Sequence, residues 1–233
     1  MRIIKFERSI IPACDVETLE ELKRIVEGTC GVDKIGGYKI GFSLGLSHSL
    51  PKVVETIRNF TELPIIYDHQ KAGTDIPDLG QKFAETCKNA GVDAVILFPQ
   101  SGPATQEAWI KACHDIGLGV LVGGEMTHPK FKRSEGGFID DNALDEIYSN
   151  GANFGVTNFV VPGNRIDRIS HYRTILEKKV KDLTFFAPGF VAQGGEITEA
   201  AKAAGKSWHA IVGRGIYKAE DVRKAAEELT SKL

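Results

Sequence analysis

Two lysines and three aspartates fall within or just after short apolar runs, where they could hold and deliver a proton. Asp68, Lys71 and Asp75 lie in Tyr67-Asp-His-Gln-Lys-Ala-Gly-Thr-Asp-Ile-Pro77. Lys39 sits inside Tyr38-Lys-Ile-Gly41, and Asp15 follows Ile10-Ile-Pro-Ala-Cys14. A lysine ammonium can act as a general acid, and fixed carboxylates can keep it charged and aimed. Taking such charges out of water is costly unless they are paired, and an alternation of Lys and Asp lets them neutralise one another. A solvated loop of mixed charge uses the same residues, and the pattern alone leaves both readings open.

A second constellation lies late in the chain, in Ala187-Pro-Gly-Phe-Val-Ala-Gln-Gly-Gly195 and Val212-Gly-Arg-Gly-Ile216. Glycines let a backbone approach a ligand closely, and an arginine among them can take a phosphate through two parallel hydrogen bonds. Glycine turns by themselves are common between any strand and helix. The pairing of two such loops with Arg214 favours an anion.

The elements that must position these groups are legible as a rhythm. Apolar runs recur about every 25 to 30 residues at Ile10–Ala13, Tyr38–Gly41, Leu63–Tyr67 and Ala94–Phe98, then at Gly119–Val122, Phe159–Val161, Phe185–Ala187 and Ala210–Val212. Near-continuous apolar runs suit parallel strands buried on both faces. The intervening segments predict helices. Leu79, Phe83, Cys87 and Ala90 share one helical face ahead of a capping Gly91, and Ala219, Val222, Ala226, Leu229 and Leu233 form a stripe in the last segment. Eight alternations without a linker predict a (β/α)8 TIM barrel, class α/β, as one domain over residues 1–233. An open doubly wound sheet shares the rhythm. In a barrel, chemistry belongs at the C-terminal ends of the strands, and phosphate commonly binds after strands seven and eight.

Composition narrows the class further. A length of 233 residues fits one such barrel, 42% hydrophobic content can fill its core, and 26% charged content gives an ordinary soluble surface. A net charge of −2 argues against nucleic acid as partner, so any anion must be captured locally. Cys14, Cys30, Cys87 and Cys113 show no CxxC spacing and read as reduced thiols. The charged N-terminus is unlike a signal peptide, and no apolar stretch is long enough to span a bilayer. The expected location is cytoplasmic, with no membrane partner.

At this point the ordered set of motifs resembles orotidine 5′-phosphate decarboxylase, especially its archaeal-type short form. The resemblance is carried by Asp15-Val16, Lys39-Ile-Gly41, Asp75-Ile-Pro77, Glu125-Met-Thr-His-Pro129, Pro188-Gly189 with Gln193-Gly-Gly195, and Gly213-Arg214, across residues 10 to 230. It implies decarboxylation of a phosphorylated pyrimidine nucleotide to UMP in de novo pyrimidine biosynthesis, with no cofactor and no metal. Lys71 would protonate C6 as CO2 departs. Asp68 would lie near the substrate carboxylate, and Lys39 would pair with it and reach the ribose. Asp15 would bond the ribose, and Thr127 the pyrimidine edge. Gln193, Gly213 and Arg214 would hold the phosphate, with Pro188 and Gly194 counted among the substrate-binding residues. Asp75 would reach the neighbouring subunit's site, which implies a homodimer. Without a cofactor to delocalise the developing carbanion, a fixed ammonium beside C6 must stabilise the charge and then quench it.

The chain departs from the family where the lysine usually stands two residues after the first aspartate. Here the array is Asp68-x-x-Lys71-x-x-x-Asp75, and Leu79 stands where threonine is common. Positions i and i+3 of a strand point to opposite sides, so the reading predicts a bulge or tight turn at His69-Gln70, with Gly73 as a second adjustment. His69 is expected to turn away from the substrate. Two rivals remain. One is a magnesium-dependent phosphosugar decarboxylase of the 3-keto-gulonate 6-phosphate type, which would need carboxylates near strand two. The other is a catalytically inactive nucleotide-binding homologue. The charged, glycine-rich stretch 130–141 reads equally as a lid or as an ordered excursion.

Overall fold

A computed structural model of the chain describes residues 2–69, 73–189 and 197–233. Eight parallel strands close into a barrel in sequence order: β1 (Arg8–Cys14), β2 (Tyr38–Gly41), β3 (Ile65–Asp68), β4 (Ala94–Leu97), β5 (Gly119–Gly123), β6 (Asn158–Val160), β7 (Thr184–Pro188) and β8 (Trp208–Val212). The circle closes where Ile10 and Ile11 of β1 pair with Ala210 and Ile211 of β8. The expected closed barrel is therefore the fold, and the open sheet is excluded.

Why the strands are apolar throughout is visible in how the core divides. Ile10, Ile40 and Val95 pack outward against the helices, whereas Ile11, Ile66 and Ile96 pack inward in a separate cluster. Successive side chains alternate faces, and here both faces are dry. Ile3 and Ile4 join the inner cluster at the N-terminal end of the strands. Above them, Ser9 Oγ and His209 Nδ1 lie 2.8 Å apart. Burial pushes His209 down to a pKa of about 3, so its ring is neutral at ordinary pH.

The helices alternate with the strands, with two additions. After β2 the chain forms α2 (Phe42–His48) and α3 (Leu50–Arg58), broken at Ser49, whose φ is +64°, and followed by Pro51 in the first turn. After β8 a single turn, α9 (Arg214–Tyr217), precedes α10 (Val222–Thr230). The remaining helices are α1 (Leu19–Thr29), α4 (Leu79–Asn89), α5 (Pro103–Asp115), α6 (Asp141–Asn153), α7 (Ile166–Leu176) and α8 (Ile197–Ala204). In α10, Val222, Ala226 and Leu229 are buried as expected, but Ala219 precedes the helix.

In α4 the expected stripe holds at its C-terminal end, where Cys87 and Ala90 are buried and Phe83 packs against the core, but Leu79 is 41% exposed and Gly80 and Ala84 take the inner positions. Close packing on α5 accounts for this: a Cβ on Gly80 would lie 2.8 Å from Trp109 Cδ1 and 3.0 Å from its Cα. The expected cap does form, with Gly91 at φ +85° and the Val92 N–H donating to the Cys87 carbonyl.

Stretch 130–141 is an ordered excursion. Arg133 N–H donates to the Ile139 carbonyl, Ile139 N–H to that of Phe131, and Ser134 hydroxyl and N–H to Asp141. All four cysteines are free thiols, and burial pushes Cys87 and Cys113 up to about 12. No helix among the described residues is long and apolar enough to cross a membrane.

Gly80→Val should destabilise the fold by about 1 to 3 kcal/mol, because the added branch meets the Trp109 backbone and not merely a flexible tip. Denaturant unfolding that shows no loss would mean that α4 and α5 can separate freely.

Candidate active site

Lys39 is the centre of the C-terminal mouth of the barrel. Its neighbours Tyr38 and Ile40 pack outward, so the pleat turns Lys39 inward. β1 and β3 flank β2, with Ala13 opposite Lys39 and Asp68 opposite Gly41. The Lys39 ammonium donates to Asp15 Oδ1 at 2.9 Å and to Asp68 Oδ2 at 3.2 Å. The side chains of Lys39 and Asp68 are 8% and 7% exposed, that of Asp15 48%. Burial alone would drive Lys39 toward the neutral amine. The carboxylates of Asp68 and Asp15 outweigh it and hold the pKa above the ordinary lysine value. The small size of Gly41 matters here, since a Cβ there would lie 3.1 Å from Asp15 Oδ1.

These three side chains line a cavity of about 310 Å3 that extends across the mouth to the ends of β7 and β8. Pro188, Gly189, Gly213, Arg214 and Tyr217 form that far end. Arg214 is exposed and makes no ion pair with any described residue. The turn that carries it is held from behind, where Arg24 donates to the carbonyls of Tyr217 at 2.5 Å and Ala219 at 3.1 Å. Gly189 has φ +106°, a conformation that a side chain would strain. The base between the two ends is apolar, formed by Ala13, Ile96, Val160 and Ile211.

Glu125 closes a third side. Its carboxylate accepts from Lys132 Nζ at 3.1 Å, from Arg168 Nε at 2.7 Å and from the Tyr172 hydroxyl at 2.6 Å. Only 2% of the side chain is exposed. Burial would raise its pKa, but the hydrogen bonds from Tyr172, Arg168 and Lys132 bring it below the usual glutamate range. One carboxylate thereby ties the end of β5 to α7 and to the excursion, and supports Thr127, which lines the cavity two residues on.

The structure thus gathers Asp15, Lys39, Asp68, Thr127, Pro188, Gly213 and Arg214 around one cavity. Lys71, Gln193 and Gly194 lie outside the described residues, as does Gln70 of the expected bulge. His69 is described, and its ring turns from the cavity. Nδ1 lies 2.7 Å from the Tyr67 hydroxyl, and the ring meets Phe83 of α4 edge-on. Gly73 takes φ +91°, in keeping with the adjustment expected there.

Asp75 does not line the cavity. It is exposed and accepts from the Ile76 N–H at 2.7 Å. Its segment is anchored to α5, since Thr105 donates to the Asp75 carbonyl and Trp109 Nε1 to that of Ile76. Sequence reasoning missed the part of Glu125, although a carboxylate at a strand end is the same signal that marked Asp68. It also missed Phe98 and Tyr217 in the cavity wall, whose types carry no such signal.

Among the described residues, no three His, Cys, Asp or Glu side chains converge so as to hold a metal ion. Comparison with known proteins gives a consistent picture. A family model described as orotidine 5′-phosphate decarboxylase / HUMPS family matches residues 8–229. The orotidine 5′-phosphate decarboxylase of Methanosarcina barkeri is 33% identical over 227 residues, covering 96% of this chain and 94% of that protein. That of Thermococcus kodakarensis is 32% identical, covering 97% of each. Among solved structures, the orotidine 5′-phosphate decarboxylase of Pyrococcus horikoshii superposes with a TM-score of 0.79 at 27% identity, over 96% of this chain and 98% of that one. The Methanocaldococcus jannaschii enzyme complexed with inhibitor BMP gives 0.84 at 24% identity, over 97% and 98%, a likeness of fold.

Glu125→Gln keeps the shape of the side chain but leaves Lys132 and Arg168 facing a neutral amide. It should cost about 3 to 5 kcal/mol at pH 7, as for one partner removed from a buried pair. The folded pKa of Glu125 is depressed, so its contribution is complete above the unfolded value near 4.3. That contribution is lost as pH falls through the folded value, and the gap between variant and wild type should close in acid. A gap independent of pH would show that charge is not what Glu125 supplies.

Proposed function

The chain belongs to the orotidine 5′-phosphate decarboxylase / HUMPS family, and from that premise we propose that it removes CO2 from orotidine 5′-phosphate to give UMP. The observation that carries the reading is the preformed Asp15–Lys39–Asp68 triad facing, across one cavity, an arginine that forms no ion pair with a described residue. That cavity offers a phosphate one end and a reacting ring the other.

In this reading Arg214 and Gly213, with Gln193, take the phosphate. Asp15 and Lys39 take the ribose hydroxyls, Thr127 takes the polar edge of the pyrimidine, and Pro188 and Gly194 complete the enclosure. Asp68 stands beside the substrate carboxylate, where two like charges disfavour the ground state and not the product. The C6–carboxylate bond breaks, its electron pair stays on C6, and CO2 leaves. Lys71 then gives C6 a proton. Phosphate binding far from the reacting carbon supplies energy for positioning the ring. The reading places the reaction in pyrimidine biosynthesis and in the cytoplasm, with no cofactor drawn on.

A dimer belongs to the same reading, with Asp75 serving the partner's site. Supporting it, Ile76 is 58% exposed and Leu79 41% beside Asp75, while Phe42 and Leu46 of α2 are 50% and 73% exposed after the neighbouring strand. Apolar groups collected at one strand-end region suit a protein contact. The magnesium-dependent rival is disfavoured, because β2 presents Lys39 inward and no carboxylate.

Decarboxylation of orotidine 5′-phosphate, followed spectrophotometrically, tests the proposal. Activity should be present and indifferent to EDTA, and Lys71→Ala should abolish turnover while UMP still binds. Activity lost to EDTA and restored by Mg2+ would transfer the case to the rival, and UMP binding without turnover would mark an inactive homologue. Arg214→Ala should weaken UMP binding by about 1.5 to 3 kcal/mol, the worth of a charge-assisted pair, yet leave uridine binding nearly unchanged. Equal losses for both would take Arg214 away from the phosphate.

A further inference from the structure

In a closed ring of eight strands, β4 stands opposite β8, four strands away in either direction. A nucleotide whose phosphate rests on Gly213 and Arg214 therefore directs its base toward β4. There the cavity is closed by Phe98, the residue after β4, which is only 5% exposed and has no polar atom.

Two glycines make room for the Phe98–Pro99 step. A Cβ on Gly123 of β5 would fall 2.4 Å from Phe98 Cζ and 2.7 Å from Cε1. A Cβ on Gly73 would fall 3.2 Å from Pro99 Cα. Gly73 also has a positive φ, which by itself favours glycine. Gly123 has none, and it is the last residue of a regular strand. What requires glycine at that position is the ring. The space that a β5 side chain would fill is occupied from β4, so the ring has no room to retreat in that direction.

We propose that Phe98, seated against Gly123, is the specificity-determining wall for the base, and that it limits the substituent carried at pyrimidine C5. The assignment rests on the nucleotide reading above. In that reading Asp68 of β3 lies by C6, and Thr127, beyond β5, lies by the polar edge that begins at C4. C5 joins those two carbons, and β4 lies between those two strands. An apolar ring suits the one edge of the pyrimidine that presents only C–H. A hydrogen fits there, and a larger group meets a wall held in place from behind.

The experiment compares UMP and 5-iodo-UMP by calorimetry on wild type and Phe98→Ala. Wild type should prefer UMP by about ten-fold or more, as a filled apolar pocket discriminates against added bulk. Phe98→Ala should bring the ratio close to one. Because a truncated core ring can disturb folding, Phe98→Leu provides a milder opening and should give an intermediate ratio. The double variant Phe98→Ala with Gly123→Leu returns volume from the neighbouring strand, and should restore the preference for UMP. Equal binding of the two ligands by wild type overturns the proposal, as does an unchanged ratio in folded Phe98→Ala. A double variant as tolerant as Phe98→Ala also counts against it. Failure of wild type to bind UMP at all overturns the nucleotide reading, and this inference with it.

Discussion

A lysine ammonium buried between two carboxylates is the interaction on which the site depends. Lys39 belongs to the apolar register of β2, and nothing but its pairing with Asp15 and Asp68 makes a charge tolerable there. The pairing requires β1, β2 and β3 to stand side by side with their inward residues level, which the parallel register provides. Below that level the strands of the closed barrel are largely apolar on both faces, with Ser9 and His209 meeting as a buried polar pair, and the charged residues of the cavity gather at the barrel's C-terminal mouth.

The mouth is asymmetric in charge, and that asymmetry gives it direction. Around Lys39 one ammonium meets two carboxylates, and around Glu125 one carboxylate meets the two cations Lys132 and Arg168, so each of these charges has an opposite partner. Arg214 alone among the cavity's described charged residues has no counter-charge. A chain with net charge −2 can thus attract an anionic ligand at one chosen end. Between the charged ends the wall is apolar, and it presents to a ring a surface with shape but little polarity.

Much of this was legible in the sequence for physical reasons. A strand buried on both faces has to be apolar throughout, so eight such runs announced the barrel. Lys39 stood out because a lysine inside such a run needs a partner. Misreadings arose where tertiary contacts override a local pattern. Leu79 fits the apolar stripe of α4, but Gly80 lets Trp109 approach so closely that the helix turns its small residues inward. Glu125 finds its partners in Arg168 and Tyr172, more than forty positions along the chain, and no local periodicity encodes that meeting. Nothing local marks Gly123, because what requires a glycine there is the Phe98 ring that reaches across from the end of β4.

The most direct test of this account is the charge state of Lys39, read from the 15N shift of its side-chain nitrogen against pH. Two carboxylates at 2.9 and 3.2 Å should hold the ammonium protonated beyond the ordinary lysine value of about 10.4. The resonance should therefore remain that of a charged amine after the exposed lysines have titrated. Loss of the proton at or below the ordinary value would contradict the account, because burial would then have prevailed over the pairing around which the site is built.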